Sequence, residues 1–125
     1  MALHKSQRIT WLNDRLPDLC GLRSWKTRFD RVLLSAVWQH LDDNERCVAV
    51  RSLADLTAPG GMVIMSLRHG PGASDRRVHE VRPDNTINAA MRTGFELIRE
   101  RQAESMQAAN RAADVRWTWL VLGLR

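Results

Sequence analysis

The sequence predicts an α/β fold built on a mostly parallel sheet, and three observations carry that expectation. Phe29 to Leu34 (FDRVLL) brings Val32, Leu33 and Leu34 together without a polar interruption, the pattern of a strand covered on both faces. Met62 to Leu67 (MVIMSL) is a second such strand. The stretch between them has helical spacing, so strand, crossover helix and strand make one βαβ unit. Ligands of such sheets sit beyond the carboxyl ends of the strands, which places Ser35 to His40 and Arg68 to Gly72 on the candidate functional rim.

Taken in order, Ser6 to Leu12 reads as a short strand with Ile9, Trp11 and Leu12 apolar, ending at the turn-forming pair Asn13-Asp14. Asp14 then stands at a strand's carboxyl end; a local bond to its own backbone is an equally open role. Cys20 to Arg28 reads as a loop or irregular helical turn around Gly21. The Phe29 strand is expected to be internal. Asp42 and Glu45 have the spacing of a capping box, which satisfies the free amides at a helix start. Cys47, Val50, Leu53, Ala54 and Thr57 form the face that packs on the sheet. The helix ends before Pro59, and Pro59-Gly60-Gly61 supplies a tight reversal. His69-Gly70-Pro71-Gly72 contains a GxG after a strand, but Pro71 removes a donor from the middle of any anion cradle, so the segment reads as a flexible loop. Pro83-Asp84 starts a helix through Ile87, Ala90 and Met91, with Gly94 as its left-handed cap. Phe95 to Arg101 alternates apolar and charged residues, as a strand near a sheet edge does. Ser105 to Asp114 is a short helix or a mobile connection. Val115 to Leu124, with Trp117, Trp119, Leu120, Val121 and Leu122, is apolar on both faces and is expected at the centre of the sheet.

A chain of 125 residues, 44% hydrophobic and 26% charged, fits one globular domain spanning residues 1–125. No apolar run reaches membrane-spanning length, and the first residues carry charge without an apolar leader core, so the expected location is the cytoplasm. Cys20 and Cys47 have neither CxxC spacing nor neighbouring histidines, which favours thiols over a disulfide or a metal site. The net charge of +5 raises the question of nucleic acid. The charge is scattered over Arg23 to Arg31, Arg76-Arg77 and Arg99 to Arg101, with no aromatic-interleaved basic stripe along the chain. A nucleic-acid partner is therefore not favoured.

FDRVLLSAVWQHL, a helix, and then LADLTAPGGMVIMSLRHGP resembles the middle of a class I S-adenosylmethionine-dependent methyltransferase, with its FD strand, following helix and PGG turn into the next strand. ITWLNDRLPDL is similar to that family's third strand, RTGFELIRER and VRWTWLVLGLR to its last two. The family's Gly-rich first strand and turn, which hold the amino-acid end of the cofactor, do not precede Ile9. The resemblance implies a Rossmann-like sheet truncated at its N-terminus, in the order Asp30 strand, Met62 strand, Val115 strand, Phe95 strand, with the Val115 strand antiparallel. It implies S-adenosyl-L-methionine as cofactor, no metal, and a small-molecule acceptor. The adenosine side is then expected near Asp14, Arg15, Ser35, Ala36 and Trp38, and the acceptor side near Trp38, His40, Arg68 and His69.

Methyl transfer from a sulfonium is an in-line displacement that needs alignment more than acid/base machinery. For acceptors that must lose a proton, His40 is the candidate base, since an imidazole can take up a proton near neutral pH. His40 and His69 can equally be hydrogen-bonded structural histidines, and Trp38 can equally plug the turn it sits in. Two functional readings follow: a partial methyltransferase, or a non-catalytic remnant or accessory subunit. The Phe29 strand, lacking its family neighbour, has a free edge that the Ile9 strand, a second copy or a complementing N-terminal half is expected to cover.

Overall fold

The computed structural model describes residues 8–70, 78–104, 107–112 and 114–125. A five-residue helix α1 (Cys20–Ser24) precedes β1 (Phe29–Leu34), a 3-10 turn at Trp38–His40, α2 (Asp43–Leu56) and β2 (Thr57–His69). Then follow α3 (Pro83–Arg92), β3 (Phe95–Glu104), the short α4 (Ala108–Ala112) and β4 (Arg116–Leu124). The four strands form one sheet in the order β1-β2-β4-β3. β1 and β2 are parallel, while β4 runs antiparallel to both β2 and β3. Order and directions are those expected from the sequence.

Local chemistry explains the helices. The Asp42 carboxylate accepts from the Glu45 amide at 2.8 Å and the Glu45 carboxylate accepts from the Asp42 amide at 3.0 Å, closing the capping box of α2. α3 begins at Pro83 and ends at Arg92 with Thr93 as its C-cap, after which Gly94 takes φ +108, the left-handed cap its sequence announces. Pro59-Gly60-Gly61 lies inside β2 rather than ahead of it: Phe29 pairs with Thr57 and Arg31 with Met62, so the extra residues bulge out of the ladder. Gly60 has φ +80, and a Cβ on Gly61 would stand 2.8 Å from the Ala58 carbonyl oxygen and 3.1 Å from that of Asp30.

The core lies on one face of the sheet. Val63, Met65, Leu67, Leu120 and Leu122 meet Ala49, Val50 and Leu53 of α2, Ile87 and Ala90 of α3, and Trp38 from the turn. Arg46, Ala49, Val50, Ser52, Leu53 and Leu56 are the buried residues of α2. Cys47, expected on that face, is exposed, because the inward stripe runs one position earlier at Arg46. Both cysteines are free thiols.

Three further expectations are corrected. Among the described residues the Ile9 stretch forms no strand: 9–15 are irregular, and Ile9, Trp11 and Leu12 are exposed. The segment after it commits its polar groups elsewhere, with the Pro17 and Asp18 carbonyls accepting from the Ser52 hydroxyl on α2. Among the described residues β1 is an edge strand and not internal: Leu34 is buried against the core, whereas Leu33, pointing the other way, is 66% exposed. β4 is central, but only one of its faces is fully buried; Trp117, Trp119 and Val121 on the other are half-buried. Ser6, Pro71, Gly72, Arg76, Arg77 and Ser105 lie outside the described residues. No helix among the described residues is long and apolar enough to cross a membrane.

Candidate active site

Beyond the carboxyl end of β1 the chain makes a strained turn. Ala36 has φ +60, a left-handed conformation that costs a residue with a Cβ about 1–2 kcal/mol. The neighbouring strand holds it there, since the Ala36 amide donates to Ser66 Oγ of β2 at 2.8 Å. The Ala36 carbonyl oxygen accepts from Gln39 Nε2 at 3.0 Å. Ser35 and Ala36 themselves are exposed. Trp38, fully buried, anchors the turn in the core and donates from Nε1 to Thr86 Oγ1 of α3 at 3.2 Å. His40, half-buried, closes the 3-10 turn.

A second segment is strapped onto this turn. The His79 amide donates to the Gln39 carbonyl oxygen at 2.8 Å. Arg46, buried at the start of α2, donates from Nε to the Trp38 carbonyl at 3.3 Å and from a terminal nitrogen to the Glu80 carbonyl at 2.9 Å. Burial pulls the Arg46 pKa down, and the charges of Asp43 and Asp42 oppose that shift. Where turn and strap meet, Gln39 Oε1 and His79 Nε2 are buried without a hydrogen-bond partner. Such orphaned groups cost about 1–3 kcal/mol each and call for an explanation at the site where they occur. Nothing local in the sequence signals either residue, because the two are brought together by the crossover and the strap.

The carboxyl end of β2 adds a second cluster. His69 Nε2 lies 2.7 Å from Thr118 Oγ1 of β4. Both border an open cleft of about 580 Å³ whose wall also includes Gln102, Glu104, Arg116 and Trp117. Arg68 pairs with Trp117 across the strands and points to the opposite face from His69. The sequence singled out His69 and Arg68 but not the residues that β3 and β4 contribute, which lie far along the chain.

Asp14 and Arg15 are placed apart from these clusters. Asp14 accepts from the Leu22 amide at 2.7 Å and the Arg15 amide at 2.9 Å, serving the backbone of α1. The Leu22 bond first, then that of Arg15, holds its carboxyl below the usual carboxylate range. The Asp14 to Ser24 segment leans on the last turns of α2, through Ser52 and an Arg23–Asp55 ion pair of 2.9 Å, whereas the strained turn precedes α2's first residue. No group of His, Cys, Asp and Glu among the described residues is arranged to hold a metal.

No protein-family model matches the sequence, and no curated protein is significantly similar to it. Solved structures are similar. A S-adenosylmethionine-dependent methyltransferase from Mesorhizobium loti superposes with a TM-score of 0.62 at 16% identity, over 89% of this chain and 65% of that one. The magnesium protoporphyrin IX methyltransferase of Synechocystis PCC 6803, solved with bound S-adenosylmethionine, gives 0.61 at 16% identity over 83% of this chain and 43% of its own. A [4+2]-cyclase, SpnF, gives 0.58 at 15% identity over 78% and 50%. The chain thus has the class I methyltransferase fold, and it spans about half the length of the latter two. The cyclase shows that the fold alone does not set the chemistry.

S-adenosylmethionine presents a nucleoside at one end and an ammonium and carboxylate at the other. The exposed Ser35 hydroxyl and Ala36 carbonyl suit the nucleoside's donors and acceptors, whereas Gln39 Oε1 is closed off from solvent. The charged end finds no run of free amides beyond the carboxyl end of β1 among the described residues, where the strained turn has already given its Ala36 amide to Ser66. The residues present fit one side of the group only.

Proposed function

We propose that this chain carries the acceptor side and part of the nucleoside side of a S-adenosylmethionine-dependent methyltransferase site. The observation that supports it is the strained Ser35–Ala36 turn, clasped by Ser66 at the carboxyl rim of a class I methyltransferase sheet. The cofactor would supply an electrophilic methyl group; everything else falls to the protein's own residues. Ser35 and Ala36 border the adenosine, and Trp38, shut in the core, fixes the turn from beneath. His40 and His69 stand at the rim as proton acceptors for a small-molecule hydroxyl or amine, His69 oriented by Thr118. Arg68 supplies positive charge at the same strand end, on the face opposite His69. Asp14 and Arg15 reach the adenosine only if the loop carrying them turns toward the rim.

The free edge of β1 is the place for a further strand bearing the amide cradle, from a complementing half. A non-catalytic accessory role is the second reading, favoured by the one-sided fit. Isothermal titration with S-adenosylhomocysteine separates them. The proposal expects binding weaker than micromolar, abolished when Ala36 is replaced by a bulky residue. Complete absence of binding at millimolar ligand favours the accessory role.

A further inference from the structure

The face of the sheet opposite the core has a chemistry of its own. Strand register puts Arg31, Met62 and Glu96 in one row, then Leu33, Ile64, Val121 and Arg99. The next rows are Ser66, Trp119 and Arg101, then Arg68, Trp117 and Ala103. Ile98, displaced by the bulge in β3, lies over Gly123. α2 and α3 both serve the other face, and every residue of the buried core belongs there. The second face therefore exposes Leu33 at 66% and Ile98 at 54%, with Met62, Ile64, Trp117, Trp119 and Val121 half-buried. A sheet with a parallel pair is normally covered on both faces.

Charge decides what covers it. Four arginines stand on this face, Arg31, Arg68, Arg99 and Arg101, and none has an ion-pair partner among the described residues. The one acid among these rows, Glu96, is held by Arg125 at 3.5 Å. Two copies packed face to face would set arginine against arginine, so the chain is a poor partner for itself here. We infer that this face is a docking surface for an amphipathic helix of a second polypeptide, with an apolar stripe for Leu33, Ile64, Val121 and Trp119 and acidic flanks for the arginines. The free edge of β1 borders the same surface, so one partner can add a strand and lay a helix over it. The inference rests on the methyl-transfer reading only for the identity of that strand.

The test is an amide NMR titration of the full chain with two synthetic helical peptides of about 20 residues, a length of roughly 30 Å. Both carry one leucine stripe; glutamates flank it in the first and lysines in the second. The glutamate peptide is expected to shift Ile64, Trp117, Trp119 and Val121, and to bind roughly tenfold more tightly than the lysine peptide. Arg99→Glu with Arg101→Glu, both exposed on the edge strand, is expected to reverse that preference, and Arg31→Glu to weaken it. Equal binding of the two peptides, or shifts confined to other surfaces, would overturn the inference. So would a dimer using this face at the same concentration, or tighter binding of polyuridine RNA than of the glutamate peptide at the two tryptophans. Failure of S-adenosylhomocysteine to bind leaves these outcomes untouched, which keeps the two readings separable.

Discussion

Ala36 shows how a single residue is held in an unfavourable conformation by its neighbours. Its left-handed φ of +60 is imposed between β1 and the 3-10 turn, with Ser66 accepting its amide. Ala36→Gly should remove the Cβ strain but add chain entropy, for a net gain of up to about 1 kcal/mol in urea unfolding. A loss of that size would show that the Cβ itself is packed. Carboxylates give a second prediction. Asp42 is held below its ordinary pKa chiefly by the Glu45 amide, and Asp14 by the Leu22 amide. A depressed folded pKa contributes stability that is present above the unfolded value, about 3.9, and is lost as pH falls through the folded one. The urea midpoint should therefore be flat from neutral pH to about 5 and fall below about 4. Asp42→Ser keeps a good cap without a titrating group, so its acid limb should be shallower; an unchanged limb would refute the assignment. Pairings within a few residues, such as Asp42 with Glu45, are legible in the sequence because spacing alone brings them together. Trp38 with Thr86, 48 residues apart, and His69 with Thr118, 49 apart, are not, since only the finished sheet aligns them.

At the level of elements, strand identity and order follow from apolar patterning, but a patterned run does not say whether its second face is covered. Val32, Leu33 and Leu34 read as a doubly buried strand; within the described residues β1 is an edge and Leu33 points outward. The apolar character of Leu33 is then a liability for association rather than a stabilising contact. Leu33→Lys should leave the unfolding free energy within about 0.5 kcal/mol and should reduce any concentration-dependent association seen by sedimentation. A destabilisation above about 1 kcal/mol would mean that the side chain is buried after all. The Ile9 stretch fails as a strand for a related reason: its apolar residues have the right composition, yet the segment that follows commits its backbone and Asp14 to α1 and α2.

At the scale of the whole molecule, the described residues join one packed face, one partly exposed face, a clasped turn at the rim and an open cleft at the end of β2 in a single sheet. The order β1-β2-β4-β3 was legible from composition and family resemblance; the strap through Arg46, His79 and Gln39 was not, because it joins segments on either side of β2. The central claim is that the rim after β1 receives the nucleoside of S-adenosylmethionine. Its most direct test is an amide NMR titration of this chain with S-adenosylhomocysteine. The account predicts weak, fast-exchange binding whose shifts centre on Ser35, Ala36 and Gln39. Shifts centred instead on the surface around the Arg23–Asp55 ion pair, or tight slow-exchange binding by the chain alone, would contradict it.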